Sequence, residues 1–271
     1  WALFRTDGIT GDFKMDLAWR WSKTAEERLL AKGFDEISNY FATPAVLSSE
    51  AEWPGFRGPK RDGVVSGIRI NADWKSNEPT ELWRRPIGPG CSSFAICGDL
   101  FFTQEQLGEN EIVSCYNLKA GQPVWRHQDE ARFWDSHAGA GPRSTPTYHD
   151  GHIYTLGATG ILNKLSAVDG KIIWTRNAVA DTKGEHSGWG YTSSPLVMQD
   201  LVIVAVIGQL VAYDIETGEP RWFGPFEGDS YSSPQKFEID GIEQIVLLSA
   251  TGATSVAPVD GTVLWKYAWS G

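Results

Sequence analysis

The sequence predicts an all-β fold, a β-propeller of four-stranded blades with about four blades present, and three observations predict it. The composition is skewed, with 29 Gly and 13 Trp against 2 Met in 271 residues; glycine is costly inside helices, whereas aromatic residues suit a pleated, half-buried surface. A Gly-x-x-x-Trp unit recurs as Gly121–Trp125, Gly170–Trp174, Gly218–Trp222 and Gly261–Trp265, with intervals of 49, 48 and 43 residues between the tryptophans. Between these units falls a pair of small hydroxyl residues followed by Pro or an apolar residue: Ser92-Ser93-Phe94, Ser144-Thr145-Pro146, Ser193-Ser194-Pro195 and Ser232-Ser233-Pro234. A repeat of this length, built of short strands, is the mark of propeller blades.

Residues 1–80 read as a lead-in with one short helix. Thr24-Ala25-Glu26-Glu27 is a capping-box pattern, and Gly33 can end the helix after Leu29, Leu30 and Lys32. Residues 34–80 contain Pro, Gly and Asn without period, so they are expected to wrap the ring rather than form a second domain. Residues 81–271 form the partial propeller. A lone strand, Leu82–Pro86 around Trp83, precedes blades at about 91–128, 143–178, 191–226 and 230–269. Each blade runs through strands A, B, C and D, with Trp on D. Strand C is read from alternating stretches such as Ile112–Asn117 and Leu210–Asp214, and strands A and B show best in Pro195–Gln199 and Leu201–Ile207. The Asp-Gly and Thr-Gly steps at 169–170, 217–218 and 260–261 supply a residue able to take positive φ in the tight C–D turn. The lone strand has no partner strands, so the chain reads as an open half-ring whose unpaired edges predict dimerisation or aggregation when isolated.

A net charge of −10 argues against a nucleic-acid binder, whose affinity rests on a basic face. The longest apolar run, Leu201–Ile207, is far shorter than the roughly 20 residues of a membrane-spanning helix, so no such segment is expected. The first residue is Trp1 and no basic-then-apolar leader follows, so a targeting signal is expected to have been removed or to lie upstream. Cys91, Cys97 and Cys115 are odd in number and lack the CxxC spacing of a zinc ribbon or redox motif. Strand spacing keeps them apart, and three free thiols acting as buried filler are expected.

The run Leu210-Val211-Ala212-Tyr213-Asp214-Ile215-Glu216-Thr217-Gly218-Glu219-Pro220-Arg221-Trp222 resembles the blade signature of the pyrroloquinoline quinone (PQQ) repeat propellers. The similarity covers residues 81–271, and Trp53-Pro54-Gly55-Phe56-Arg57-Gly58-Pro59-Lys60-Arg61-Asp62-Gly63 is similar to the lead-in of a bacterial branch of that family. The resemblance implies PQQ-type blades, half of an eight-bladed-type ring, and a place in the periplasm or cell envelope. It also implies two functional classes. Alcohol dehydrogenases of the family hold PQQ in the central channel against a Trp, with a calcium ion and beneath a disulfide of adjacent cysteines; outer-membrane assembly lipoproteins of the family bind no quinone. This sequence lacks the adjacent cysteines. The expectation is therefore a ligand-binding or protein-scaffolding module with other envelope proteins as partners, and the alternative is a PQQ- and calcium-dependent alcohol dehydrogenase. Fold alone does not choose between them.

Strand parity puts the long D–A loops, 129–143 and 178–191, on one face with the B–C turns at 104–110, 157–160, 207–209 and 250–252. Long loops on a rigid scaffold are where binding groups sit. The richest, Asp129–Arg143, places Arg132, Trp134, His137 and Arg143 around Gly139 and Gly141. Guanidinium groups, an imidazole and an indole can hold a small anionic aromatic ligand such as PQQ. The competing expectation is that these side chains pin the loop to the neighbouring blade. His186, Trp189 and Tyr191 on the second loop, with Asp229 and Tyr231 before the last blade, either line the channel mouth or pack between inner strands. Asp135-Ser136-His137 is no triad, because consecutive residues do not converge on one another. Glu105, Glu109 and Glu111 are candidates for acid–base work or calcium binding, set against ordinary solvated turn charges. The repeated tryptophans are read as architecture that gives neighbouring blades apolar surface to bury.

Overall fold

In the computed structural model, which describes residues 3–9, 12, 14–31, 47, 50–136, 139–182 and 188–269, four antiparallel four-stranded sheets follow one another along the chain. Ahead of them lie a hairpin, β1 (Phe4–Ile9) and β2 (Met15–Trp19), and helix α1 (Ala25–Ala31). The first blade holds β3 (Ala95–Cys97), β4 (Leu100–Leu107), β5 (Asn110–Asn117) and β6 (Pro123–Asp129). A short ribbon of β7 (Trp134–Asp135) and β8 (Gly139–Ala140) bridges to the second blade. That blade holds β9 (Thr147–His149), β10 (His152–Leu156), β11 (Ile161–Ser166) and β12 (Ile172–Asn177), and ends in the short helix α2 (Ala178–Thr182). The third holds β13 (Leu196–Met198), β14 (Leu201–Val206), β15 (Gln209–Asp214) and β16 (Pro220–Phe226). The fourth holds β17 (Gln235–Ile239), β18 (Ile242–Leu248), β19 (Gly252–Val256) and β20 (Val263–Ala268). In each sheet the strands pair in chain order, as propeller blades require.

The capping box forms as its residues dictate. The Glu27 amide donates to Thr24 Oγ1 at 2.9 Å and the Thr24 amide to Glu27 Oε2 at 2.7 Å, satisfying two helix-end donors reciprocally. Gly33 lies outside the described residues. The β1–β2 hairpin is an element the sequence reading did not contain. Met15, Leu17 and Trp19 do alternate, but a register shift between Thr6 and Gly8 interrupts the matching pattern on the other strand.

The core lies between blades, and two repeating devices fasten them. On the outside, the strand-D tryptophan of each of the first three blades lies on the turn glycine of the next blade and donates its indole N–H to a carbonyl of that blade. Trp125 donates to Ala167 at 3.0 Å, Trp174 to Ile215 at 3.0 Å and Trp222 to Pro258 at 2.9 Å. A Cβ on Gly170, Gly218 or Gly261 would come within 2.4–2.7 Å of the ring it carries, and all three have positive φ, so two constraints select glycine there. On the inside, the hydroxyl pairs divide their labour. Ser144 Oγ donates to the Leu156 carbonyl and Ser193 Oγ accepts from the Ala205 amide, tying inner strand to second strand within a blade. The second member reaches across: Thr145 Oγ1 accepts from the Ser93 amide, Ser194 Oγ from the Thr145 amide and Ser233 Oγ from the Ser194 amide.

Two expectations are corrected. The lead-in does not simply wrap the ring: residues 53–63 plug it, running along the inner strands of three blades. Trp53 exchanges backbone hydrogen bonds with Ile96, the Tyr148 amide donates to Pro54, and Arg61 donates to the carbonyls of Ser194 and Pro195 at 3.1 and 3.0 Å. Pro and Gly suit such a segment because its conformation is set by contacts rather than by a ladder. Leu82–Pro86 is not a strand either. Trp83 nevertheless sits as a strand-D tryptophan would, its indole donating to Leu118 at 2.9 Å over Gly121. At the other end Trp265 meets no following blade and turns its N–H to Gln244 Oε1 at 2.6 Å.

Candidate functional site

The plug leaves a cavity at the end of the channel where the inner strands begin. It has a volume of about 660 Å³ and is walled by the hydroxyl belt, with Trp53, Phe56 and Arg57 from the plug and Cys91, Arg143 and Tyr231 around the rim. Its size lies within the usual range for small-molecule pockets. Its donors are largely occupied already. Ser93, Thr145, Ser194 and Ser233 are engaged in the belt, and Arg143 Nη2 donates to Gly139 at 2.7 Å, Nη1 to Ala140 at 3.3 Å and Nε to Trp189 at 3.3 Å. The Arg143 guanidinium also lies 4.9 Å from the centre of the Phe133 ring.

The residues proposed from sequence separate into three places. Arg143, Trp189 and Tyr231 come together at the rim, with the Trp189 and Tyr231 rings stacked at 5.5 Å. Arg132 and Trp134 point elsewhere, into a cavity of about 300 Å³ beside α1. There Arg132 is gripped by both carboxylate oxygens of Glu26, at 2.8 and 2.9 Å, and by the Gly108 carbonyl. Tyr191 is only 3% exposed and packs in the apolar layer between the second and third blades. His137 and His186 lie outside the described residues. The loop 129–143 therefore does not gather its two arginines around one ligand: one holds the loop to the N-terminal helix and the other holds it to the next loop.

Glu105 and Glu111 are not solvated turn charges. They lie within β4 and β5, 1% and 3% exposed. Glu105 accepts from Ser114 Oγ at 2.6 Å, Tyr116 Oη at 2.7 Å and the Gly88 amide at 2.6 Å. Glu111 crosses to the second blade, accepting from the Ala158 amide at 2.9 Å and Thr159 Oγ1 at 3.1 Å. Burial pushes the Glu111 carboxyl up to about 7, against the pull of those two hydrogen bonds and with a smaller upward push from Asp129. Both faces of β4 and nearly all of β5 are buried, so period-two alternation could not mark these acids in the sequence. No disulfide joins the three cysteines; Cys97 and Cys115 are buried, but Cys91 is exposed at the cavity rim, contrary to the filler role expected of it.

PQQ and calcium make definite demands on the hydroxyl-lined cavity. A polycarboxylate needs unspent cationic donors; Arg143 is committed to three backbone carbonyls, and Arg57 spends Nη2 on the Asp62 carbonyl at 2.8 Å, which leaves part of one guanidinium for a ligand. Calcium needs several oxygen ligands, carboxylates foremost, and no Asp or Glu lines this cavity.

The sequence profile of a family described as outer membrane protein assembly factor BamB matches residues 108–271. The outer membrane protein assembly factor BamB of Burkholderia pseudomallei is 32% identical over 146 residues, covering 52% of this chain and 32% of that protein. That of Nitrosomonas eutropha is 25% identical over 186 residues, covering 66% of this chain and 41% of that protein. The chain thus spans well under half the length of these curated relatives. Among solved structures, the quinohemoprotein alcohol dehydrogenase of Comamonas testosteroni matches with a TM-score of 0.50 at 16% identity, over 68% of this chain and 35% of the other, a likeness of fold alone.

Proposed function

Because the chain belongs to the family described as outer membrane protein assembly factor BamB, we propose that it is a cofactor-free propeller protein of the cell envelope whose work is to dock other envelope proteins. The observation that carries the reading is an aromatic patch on the N-terminal hairpin. Phe4, Leu17, Trp19 and Trp21 are all exposed, Trp19 and Trp21 by 53% and 70%; the Phe4 and Trp19 rings stack at 4.7 Å and Trp21 lies 6.2 Å from Trp19. Clustered aromatic surface of this kind marks protein contact sites, where Trp contributes disproportionately. The arginines of loop 129–143 support the same reading, since Arg132 is held by Glu26 and Arg143 by backbone carbonyls rather than turned together toward one ligand.

The test uses the full-length protein in the cell envelope. A photocrosslinking side chain at position 21 is expected to trap an outer-membrane assembly protein, and Trp19→Glu is expected to abolish the crosslink. In parallel, PQQ with calcium is expected to leave the melting temperature unchanged, because a ligand specific to the folded state must raise it. A saturable upward shift would replace this reading with the dehydrogenase.

A further inference from the structure

The plug treats the four inner strands unequally. Trp53 exchanges backbone hydrogen bonds with Ile96 of β3, at 2.7 and 3.2 Å, and the Pro54 carbonyl accepts from the Tyr148 amide of β9 at 2.7 Å. The segment then curls through consecutive turns, the Gly58 amide donating to Gly55 and the Arg61 amide to Gly58, and it reaches the third blade by the Arg61 side chain. Among the described residues, the inner edges of β13 and β17 keep no backbone partner beyond their own sheets. The curl leaves a cavity of about 740 Å³ against those two edges, lined by Leu196 and Val197 of β13 and by Lys236, Phe237 and Glu238 of β17.

The charge of this cavity runs against that of the acidic chain around it. Lys60 and Arg61 enter from the plug, Lys236 is paired with Glu243 on the neighbouring strand, and Glu238 is the one carboxylate in the lining. The two terminal nitrogens of Arg61 donate to the Ser194 and Pro195 carbonyls, and its guanidinium lies 5.5 Å from the centre of the Phe56 ring. Its Nε is buried without a hydrogen-bond partner, and no carboxylate among the described residues pairs with it. Loss of solvation pulls its pKa down to about 10. A cation withdrawn from water without a counter-ion is costly to keep, and an acidic side chain arriving in the adjoining cavity supplies the missing charge at short range. Beside it Phe237, 48% exposed, offers a ring for an apolar neighbour.

We propose that this cavity is a second docking site, which takes an extended acidic segment of a partner protein. The backbone of the segment pairs with the free edge of β17 as the plug pairs with β3, an Asp or Glu side chain of the segment meets Lys60 and Arg61, and an apolar side chain covers Phe237. Strand addition of this kind draws affinity from main-chain hydrogen bonds and specificity from alternate side chains. Among the inner strands β17 is the suitable acceptor, with five residues against three in each of β3, β9 and β13, and a bare edge of that length invites pairing. The site lies beyond the hairpin patch and does not depend on it. A quinone has no peptide backbone to offer β17, so this is a site for protein and not for a cofactor.

Calorimetric titration of the full-length protein with the end-blocked hexapeptide Thr-Asp-Val-Phe-Asp-Thr tests this. One control peptide carries Asn in place of both Asp residues, and another is N-methylated at every internal amide, which removes its backbone donors. The acidic peptide is expected to bind saturably and the Asn peptide roughly ten-fold more weakly, because it lacks the counter-charge. The N-methylated peptide is expected to bind at least roughly ten-fold more weakly, because it cannot donate to the β17 edge. Lys60→Glu, at an exposed position of the plug, is expected to weaken the acidic peptide roughly ten-fold and to leave the Asn peptide unchanged. Equal affinities for the acidic peptide and either control, unchanged affinity in the folded Lys60→Glu variant, or no binding to folded wild type would each overturn the proposal. The hairpin variant Trp19→Glu is expected to retain the peptide, so loss of the crosslink at position 21 and loss of peptide binding report on separate sites.

Discussion

At the scale of single residues, the side chains that look most like chemistry in the sequence are mostly occupied in holding the molecule together. Arg143 is the clearest case, with three backbone carbonyls and a ring face around one guanidinium. Arg143→Ala is expected to cost about 1.5–3 kcal/mol, the usual worth of hydrogen bonds to a charged group, measured by urea denaturation. A loss of ligand affinity without loss of stability would contradict the pinning role. Glu111 allows a sharper test through pH. Its folded pKa of about 7 lies above its ordinary 4.5, so the folded state holds the proton more tightly than the unfolded chain. Its contribution is therefore complete below about pH 4.5 and is lost as pH rises through about 7. Glu111→Gln keeps an uncharged acceptor for the Ala158 amide and is expected to flatten the fall in stability across that window. Denaturation midpoints at a series of pH values read the slope directly; an unchanged slope would mean that Glu111 is ionised in the fold.

At the scale of elements, blade and joint come from the same short motif. Gly-x-x-x-Trp makes a tight turn and an outer strand within one blade, while the glycine seats the indole of the blade before and the tryptophan reaches the blade after. One residue deletion should therefore loosen a seam rather than a strand. Trp174→Ala removes the ring over Gly218 and the hydrogen bond to Ile215, and is expected to cost about 3–5 kcal/mol by the general scale for large core truncations. Hydrogen exchange should show the loss concentrated at the boundary between the second and third blades, where Tyr154, Val202 and Tyr213 share the buried layer. Uniform loss of protection across all four blades would instead mean that the sheets unfold as one unit. The residue directly opposite each docking tryptophan varies, from Cys115 to Lys164 to Ala212. Lys164, 1% exposed, donates to the same Ile215 carbonyl that Trp174 uses.

At the scale of the whole molecule, what was legible in the sequence was what repeats. The four sheets follow from Gly-x-x-x-Trp and the hydroxyl pairs because each blade is a local hairpin series whose signals lie within fifty residues of one another. The plug was not legible: the contact between Arg61 and Ser194 spans 133 residues and carries no periodicity. The grouping of the site residues was hidden for the same reason, since Arg132 is claimed by Glu26 across 106 residues. The repeat also defines an end. The face of the third blade that carries Trp222 buries Met198, Leu201 and Ile203 beneath the fourth blade. Strand pairing puts Ile239, Ile242, Leu248 and Tyr267 on the matching face of the fourth blade, and there they are exposed, Ile242 by 56% and Tyr267 by 66%. That surface is built to be covered. The 271-residue chain in isolation is therefore expected to associate with rising concentration in light-scattering measurements, and Ile242→Lys combined with Tyr267→Lys is expected to suppress the association by placing charge on the exposed face. A wild-type chain that stays monomeric across the concentration series would show that this face is stable in water, and the half-ring would then stand as a self-sufficient unit.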